Sequence, residues 1–182
     1  MTIHAPSFVR VGALAPAVAL AGCGSSAPKQ TEWPYTSTDG GFKVVFPNRF
    51  DTFTSKAGEG TAARSVTSSM ASKGSDQFGV TYSDFPSSFL AGGAAAVLET
   101  ARDQVVAGIK GTVVSSDAST FGEHPALDVV AIGTASAVKG EYHAKFVLVG
   151  TRIYEVLVIR NDTKASDEHM LDFFDSFELT GS

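Results

Sequence analysis

Apolar and polar residues alternate in several short runs along this chain, and that period of two predicts a protein made mainly of β-strands. Phe42, Val44 and Phe46 share one face of a run that Pro47-Asn48 stops. Gln77 to Asp84 repeats the pattern, with Phe78, Val80 and Tyr82 on one side and Gly79, Thr81 and Ser83 on the other. Arg64 to Ala71 is a weaker strand carrying Val66 and Met70, while Phe50 to Gly60 is polar and expected to be irregular. Short strands are expected at Thr112–Ser116 and Leu127–Thr134. Glu141–Val149 and Arg152–Arg160 flank Gly150-Thr151, a two-residue hairpin turn. The second arm of that hairpin is apolar on both faces: Ile153, Leu157 and Ile159 on one, Tyr154, Val156 and Val158 on the other. Such a strand needs cover above and below, so it is expected at the centre of a layered fold.

Two segments switch to helical spacing. Ala94, Val97, Leu98, Ala101, Val105 and Ile109 form one stripe, ended by Lys110-Gly111. The Gly92-Gly93 pair places its regular start near Ala94. Met170, Leu171, Phe173, Phe174 and Phe177 form the other stripe, with Ser166 as the expected N-cap and Asp167 and Glu168 in the first turn. Phe177-Glu178-Leu179 is expected to be extended as the chain closes onto the sheet.

The N-terminus follows a different logic. Val11 to Ala19 is apolar but contains Pro16 and falls short of the roughly 20 residues a spanning helix needs. It ends in Leu20-Ala21-Gly22-Cys23, the layout of a bacterial lipoprotein signal. On this reading residues 1–22 are removed, with Leu20, Ala21 and Gly22 read by the peptidase. Cys23 becomes the lipid-bearing N-terminus. Its thiol accepts a diacylglyceryl group, and two or more acyl chains (palmitate, for example) hold a protein stably on a membrane where one does not. Residues 23–35 then form a tether, small and polar through Gly24–Thr31, and 36–182 form the domain.

Composition narrows the functional classes. Cys23 is the only cysteine, so the domain has no internal disulfide and no Cys-based metal or redox site. The formal charge of −5, with the charges scattered, gives no footprint for nucleic acid and no basic patch for anionic lipid. Phosphate-cradling glycine motifs and the Gly-x-Ser-x-Gly elbow are missing from the sequence. No metal or cofactor is expected.

The order "GFKVVFP", "VTYSDFP" leading into an Ala-rich helix, "YHAKFVLVGTRIYEVLVI", and a last helix ending "FFDSFEL" resembles the PsbP-like family. The likeness runs from Gly41 to Leu179. It implies an α+β fold, a mainly antiparallel sheet flanked by helices in an α/β/α sandwich, shared with bacterial envelope lipoproteins. It implies an accessory role beside a membrane complex and carries no general catalytic motif.

A lipid-anchored, extracytoplasmic and non-catalytic binding module is therefore the expected function, with an envelope protein or glycolipid as partner. Its ligand cavity is expected where a helix leaves the sheet, with Tyr82, Tyr142, Arg152 and Tyr154 as polar handles. The alternative is an envelope hydrolase, drawing on His124, His143, Asp128, Glu141 and Glu155. Glu155 stands out as a charge inside an apolar strand; exposure, or pairing with Arg152 or Lys145, is its plainest explanation.

Overall fold

The computed structural model describes residues 32–58, 63–135, 138–161 and 167–181. The lipobox positions Leu20, Ala21, Gly22 and Cys23, the Gly24–Thr31 tether and the expected cap Ser166 lie outside them. Ten strands and two α-helices are present among the described residues, in the order β1 (Trp33–Ser37), β2 (Phe42–Phe46), β3 (Phe50–Ala57), β4 (Arg64–Lys73), β5 (Asp76–Asp84), α1 (Gly93–Gly108), β6 (Thr112–Phe121), β7 (His124–Ala135), β8 (Val138–Val149), β9 (Arg152–Arg160), α2 (Glu168–Asp175) and β10 (Glu178–Leu179). A 3₁₀ segment, Ser87–Gly92, leads into α1.

Seven strands form one sheet in the order β3-β4-β5-β9-β8-β7-β6, and β1-β2-β10 form a second. Every pairing is antiparallel. The doubly apolar strand β9 is the middle of the seven. Gly150 takes φ 59°, which lets Val149 and Arg152 close the β8–β9 hairpin as a direct pair.

Each face of β9 has its own core. On one side Val156 and Val158 meet Phe42, Val44 and Phe46 of β2 and Phe173 of α2. Phe173 is 1% exposed, with its ring 5.4 Å from Phe46 and 5.5 Å from Phe78. On the other side Ile153 and Leu157 lie under Val97, Leu98, Ala101 and Val106 of α1. The layers are thus α1, the large sheet, and then the small sheet with α2. The second outer layer is mostly β rather than helical, because the Phe-rich strand β2 supplies its apolar face.

Three other expectations change. Phe50–Ala57 is a strand, not an irregular loop. Its side chains are largely exposed, so it lacks the burial that creates alternation. Its register with β4 is carried by backbone pairing and by a hydroxyl ladder, Thr52–Ser69 at 2.8 Å and Thr54–Thr67 at 3.0 Å. Strand β6 runs to Phe121, twice the expected length, as a polar edge strand with a register break at Val114. Trp33–Tyr35, read from sequence as the end of the tether, are paired in β1 against β2, with Trp33 opposite Phe46.

Replacing Phe173 by Ala removes a ring shared by α2, β2 and β5. We expect a loss of about 3–5 kcal/mol in urea unfolding, against less than about 1 kcal/mol for exposed Leu171→Ala.

Candidate functional site

The four handles expected from sequence fall on opposite faces of the sheet. Tyr82, Arg152 and Tyr154 gather beneath the β1–β2 turn. The Arg152 guanidinium donates from Nε and Nη2 to the two carboxylate oxygens of Asp84, each at 2.7 Å, and from Nη1 to the carbonyls of Asp39 (2.8 Å) and Gly40 (3.1 Å). It also sits 5.0 Å from the Tyr82 ring centre. The buried Tyr154 hydroxyl donates to Gly40 O at 2.6 Å. The paired Arg152–Asp84 bonds lower the Asp84 carboxyl, with burial opposing, and raise Arg152. The group clamps the small sheet to the large one, and its hydrogen bonds are spent within the protein. Tyr142 points the other way, toward α1.

Of the five hydrolase candidates only His143 and Glu141 come within hydrogen-bond distance of each other. On β8, His143 Nε2 lies 3.3 Å from Glu141 Oε2, and the neighbouring Lys145 pairs with Asp128 of β7. His124 stands apart at the β6–β7 hairpin, beside Phe121 and Glu123 in a shallow hollow. Glu155 is on the opposite face, under α1.

That opposite face holds the candidate site. Helix α1 packs chiefly over β6, β7 and β8 and meets the β4–β5 side only along its edge, where Gln104 bonds Arg64. Its end is pinned, since the Ile109 carbonyl accepts from Thr134 N at 2.7 Å. Gly133 permits the approach: a Cβ at that position would stand 2.8 Å from the same carbonyl. A cleft of about 190 Å³ opens where the helix gives no cover. Its walls are apolar (Val66, Phe85, Ala101, Val105, Phe146, Ile153), with Arg64, Thr81, Ser83, Gln104 and Glu155 as the polar lining.

Local pairing explains the polar positions. Glu155 is registered between Thr81 of β5 and Phe146 of β8, so its side chain joins the α1-facing row. The buried Tyr142 hydroxyl donates to Glu155 Oε1 at 2.6 Å. Neither Arg152 nor Lys145 reaches it. Burial pushes the Glu155 carboxyl up, with the Tyr142 bond opposing, and the half-buried side chain lines the cleft. Burial and the adjoining Glu155 raise the Tyr142 hydroxyl well above its ordinary 10.0.

Arg64 begins β4 at the cleft mouth. Its guanidinium lies 4.1 Å from the Phe85 ring centre and donates from Nη2 to Gln104 Oε1 at 3.3 Å. Its buried Nε has no hydrogen-bond partner, and desolvation lowers the group. Arg64, Phe85 and Gln104 also line an adjoining hollow of about 530 Å³ with Pro86 and Phe89. Sequence reasoning named Glu155 as the odd residue but missed Arg64, Phe85 and Gln104. The available signal was Arg64 in phase with Val66, which puts a cation on an inward face.

No protein-family model and no curated protein matches the chain. Among solved structures it is similar to cyanobacterial PsbP (CyanoP) from Synechocystis sp. PCC 6803, with a TM-score of 0.58 at 12% identity, covering 88% of this chain and 98% of that one. A Pseudomonas aeruginosa protein of unknown function aligns at a TM-score of 0.34 and 10% identity, over 71% of this chain and 82% of that one. The chain has a PsbP-like fold of antiparallel sheets and two helices.

In the unfolded chain Glu155 ionises near its ordinary 4.5; in the fold it does so higher. Between those values the folded protein holds a proton that the unfolded chain has released. Its contribution is therefore full below the ordinary value and declines as pH rises through the folded one. Urea midpoints measured from pH 4 upward should show this decline in the wild type, and Glu155→Gln, which keeps the acceptor for Tyr142, should lack it.

Proposed function

We propose that this protein is a non-catalytic binding module, tethered to the outer side of a cell membrane by lipid on Cys23, whose ligand or envelope partner engages the cleft beside α1. The observation that carries the reading is the cleft itself. It joins an apolar wall to Arg64 and Glu155, whose charged groups are not paired with each other. A few convergent polar groups in an apolar recess are the usual make-up of a recognition site. Leu20-Ala21-Gly22-Cys23 supports the anchor, and the Gly24–Thr31 segment supplies reach. Tethering raises the local concentration of the module at its partner, so modest affinity is enough. The described residues contain no helix long and apolar enough to cross a membrane.

Two measurements test it. Cell fractionation should move Cys23→Ser from the membrane to the soluble fraction; an unchanged distribution would remove the anchor. Native mass spectrometry of protein extracted from its own membranes should show a bound small molecule that Val105→Trp, filling the cleft, has lost. Equal adducts in both proteins, or none in either, would remove the cleft as the site.

A further inference from the structure

Arg64 and Glu155 face the same small cavity, carry opposite charge, and do not pair. Each also lacks a counter-ion elsewhere among the described residues. Arg64 is satisfied only by the neutral Gln104 side chain and the Phe85 ring, and its buried Nε is bare. Tyr142 alone bonds the Glu155 carboxyl, through Oε1, which leaves Oε2 for the cleft. Burial shifts both groups toward neutrality, the response of a charge whose partner is missing. A lone anion would answer Arg64 and meet repulsion from Glu155; a lone cation would do the reverse. A ligand bearing both charges answers both.

The same cavity is walled by Val66, Phe85, Val105, Phe146 and Ile153. The volume sets the size of the ligand's apolar part. An apolar cavity of roughly 150 Å³ takes a benzene ring, and this cleft holds about 190 Å³. That suits one branched or aromatic side chain and is far too small for a lipid tail. The adjoining hollow, which shares Arg64, Phe85 and Gln104, gives a way in past the guanidinium.

Taking the cleft as a ligand site, as above, we infer that it binds a free α-amino acid with an apolar side chain, the carboxylate on Arg64, the ammonium on Glu155 and the side chain against Phe85, Val105 and Phe146. The ammonium would hold Glu155 ionised, so the bound state contains two complementary ion pairs in a partly dry site. Such charge-assisted contacts are the strong class of hydrogen bond.

Calorimetric titration of the full-length protein in detergent reads this directly. The titrants are L-leucine and L-phenylalanine, with 4-methylpentanoate (no ammonium) and 3-methylbutan-1-amine (no carboxylate) as half-ligands. Saturable binding of at least one amino acid is expected, with each half-ligand weaker by about tenfold or more, the cost of one charge-assisted bond. Arg64→Met and Glu155→Gln should each weaken the amino acid to a similar degree. Circular dichroism and thermal unfolding will verify that both variants are folded, and Glu155→Gln retains an acceptor for Tyr142. Equal affinity for a half-ligand, or undiminished affinity in either folded variant, overturns the assignment. Failure of both amino acids to bind, while the adduct sensitive to Val105→Trp persists, also overturns it and leaves the cleft as the site of another ligand. Loss of that adduct as well would instead count against the cleft reading itself.

Discussion

Burial of β9 on both sides is the constraint from which the rest of the structure follows. Val156 and Val158 are 1% and 0% exposed on one face, and Ile153 and Leu157 are 5% and 6% exposed on the other. No single layer can dry both rows. The chain therefore places β2 and α2 across one face and α1 across the other, and each layer brings its own core. Fully burying aliphatic or aromatic side chains is worth about 1.5–3 kcal/mol each, so two such rows dominate anything the surface ion pairs contribute. The second sheet exists because β9 needs cover, and Phe42, Val44 and Phe46 are the cover.

Cover on the α1 side is incomplete, and the candidate site lies where it ends. The close approach at Gly133 and the bond between Ile109 and Thr134 fix the helix over β6 to β8. A helix held there shields the β4–β5 side only along its edge. The strip at the edge of the helix carries hydroxyls (Ser68, Thr81, Ser83) and Glu155, where the strip beneath it carries Leu127, Val129 and Ala131. Polar residues thus track the edge of the helix. Glu155 sits at that border, half in the core with Tyr142 and half in the cleft.

Arg152 and Arg64 show how the same side chain takes different roles in the two halves. Arg152 meets a carboxylate and two carbonyls, so its donors are consumed in joining the sheets. Arg64 meets a ring and an amide, so its charge remains uncompensated at a cavity. Asp167 gives a similar lesson on the acidic side. It occupies the N-cap position of α2 without capping it, because its carboxylate is drawn to the buried Arg160.

Local pattern was enough to place the β8–β9 hairpin, the central rank of β9, the apolar rows of β2 and β5 and both helices, because each is written in spacing, turn chemistry and burial on one segment. It also exposed Glu155, since a charge in an apolar strand breaks the pattern by itself. Edge strands β3 and β6 were not legible in full: an exposed strand carries no alternation, and only its partner's backbone defines it. The cleft was illegible for a related reason. Arg64, Gln104 and Glu155 lie far apart in sequence, and whether a cation finds a carboxylate, a ring or an empty cavity depends on which strands are neighbours and where the helix stops. Tyr142 and Tyr154 make the point most simply, since nothing local in either strand says that one hydroxyl meets a glutamate under α1 and the other a glycine carbonyl beneath the second sheet.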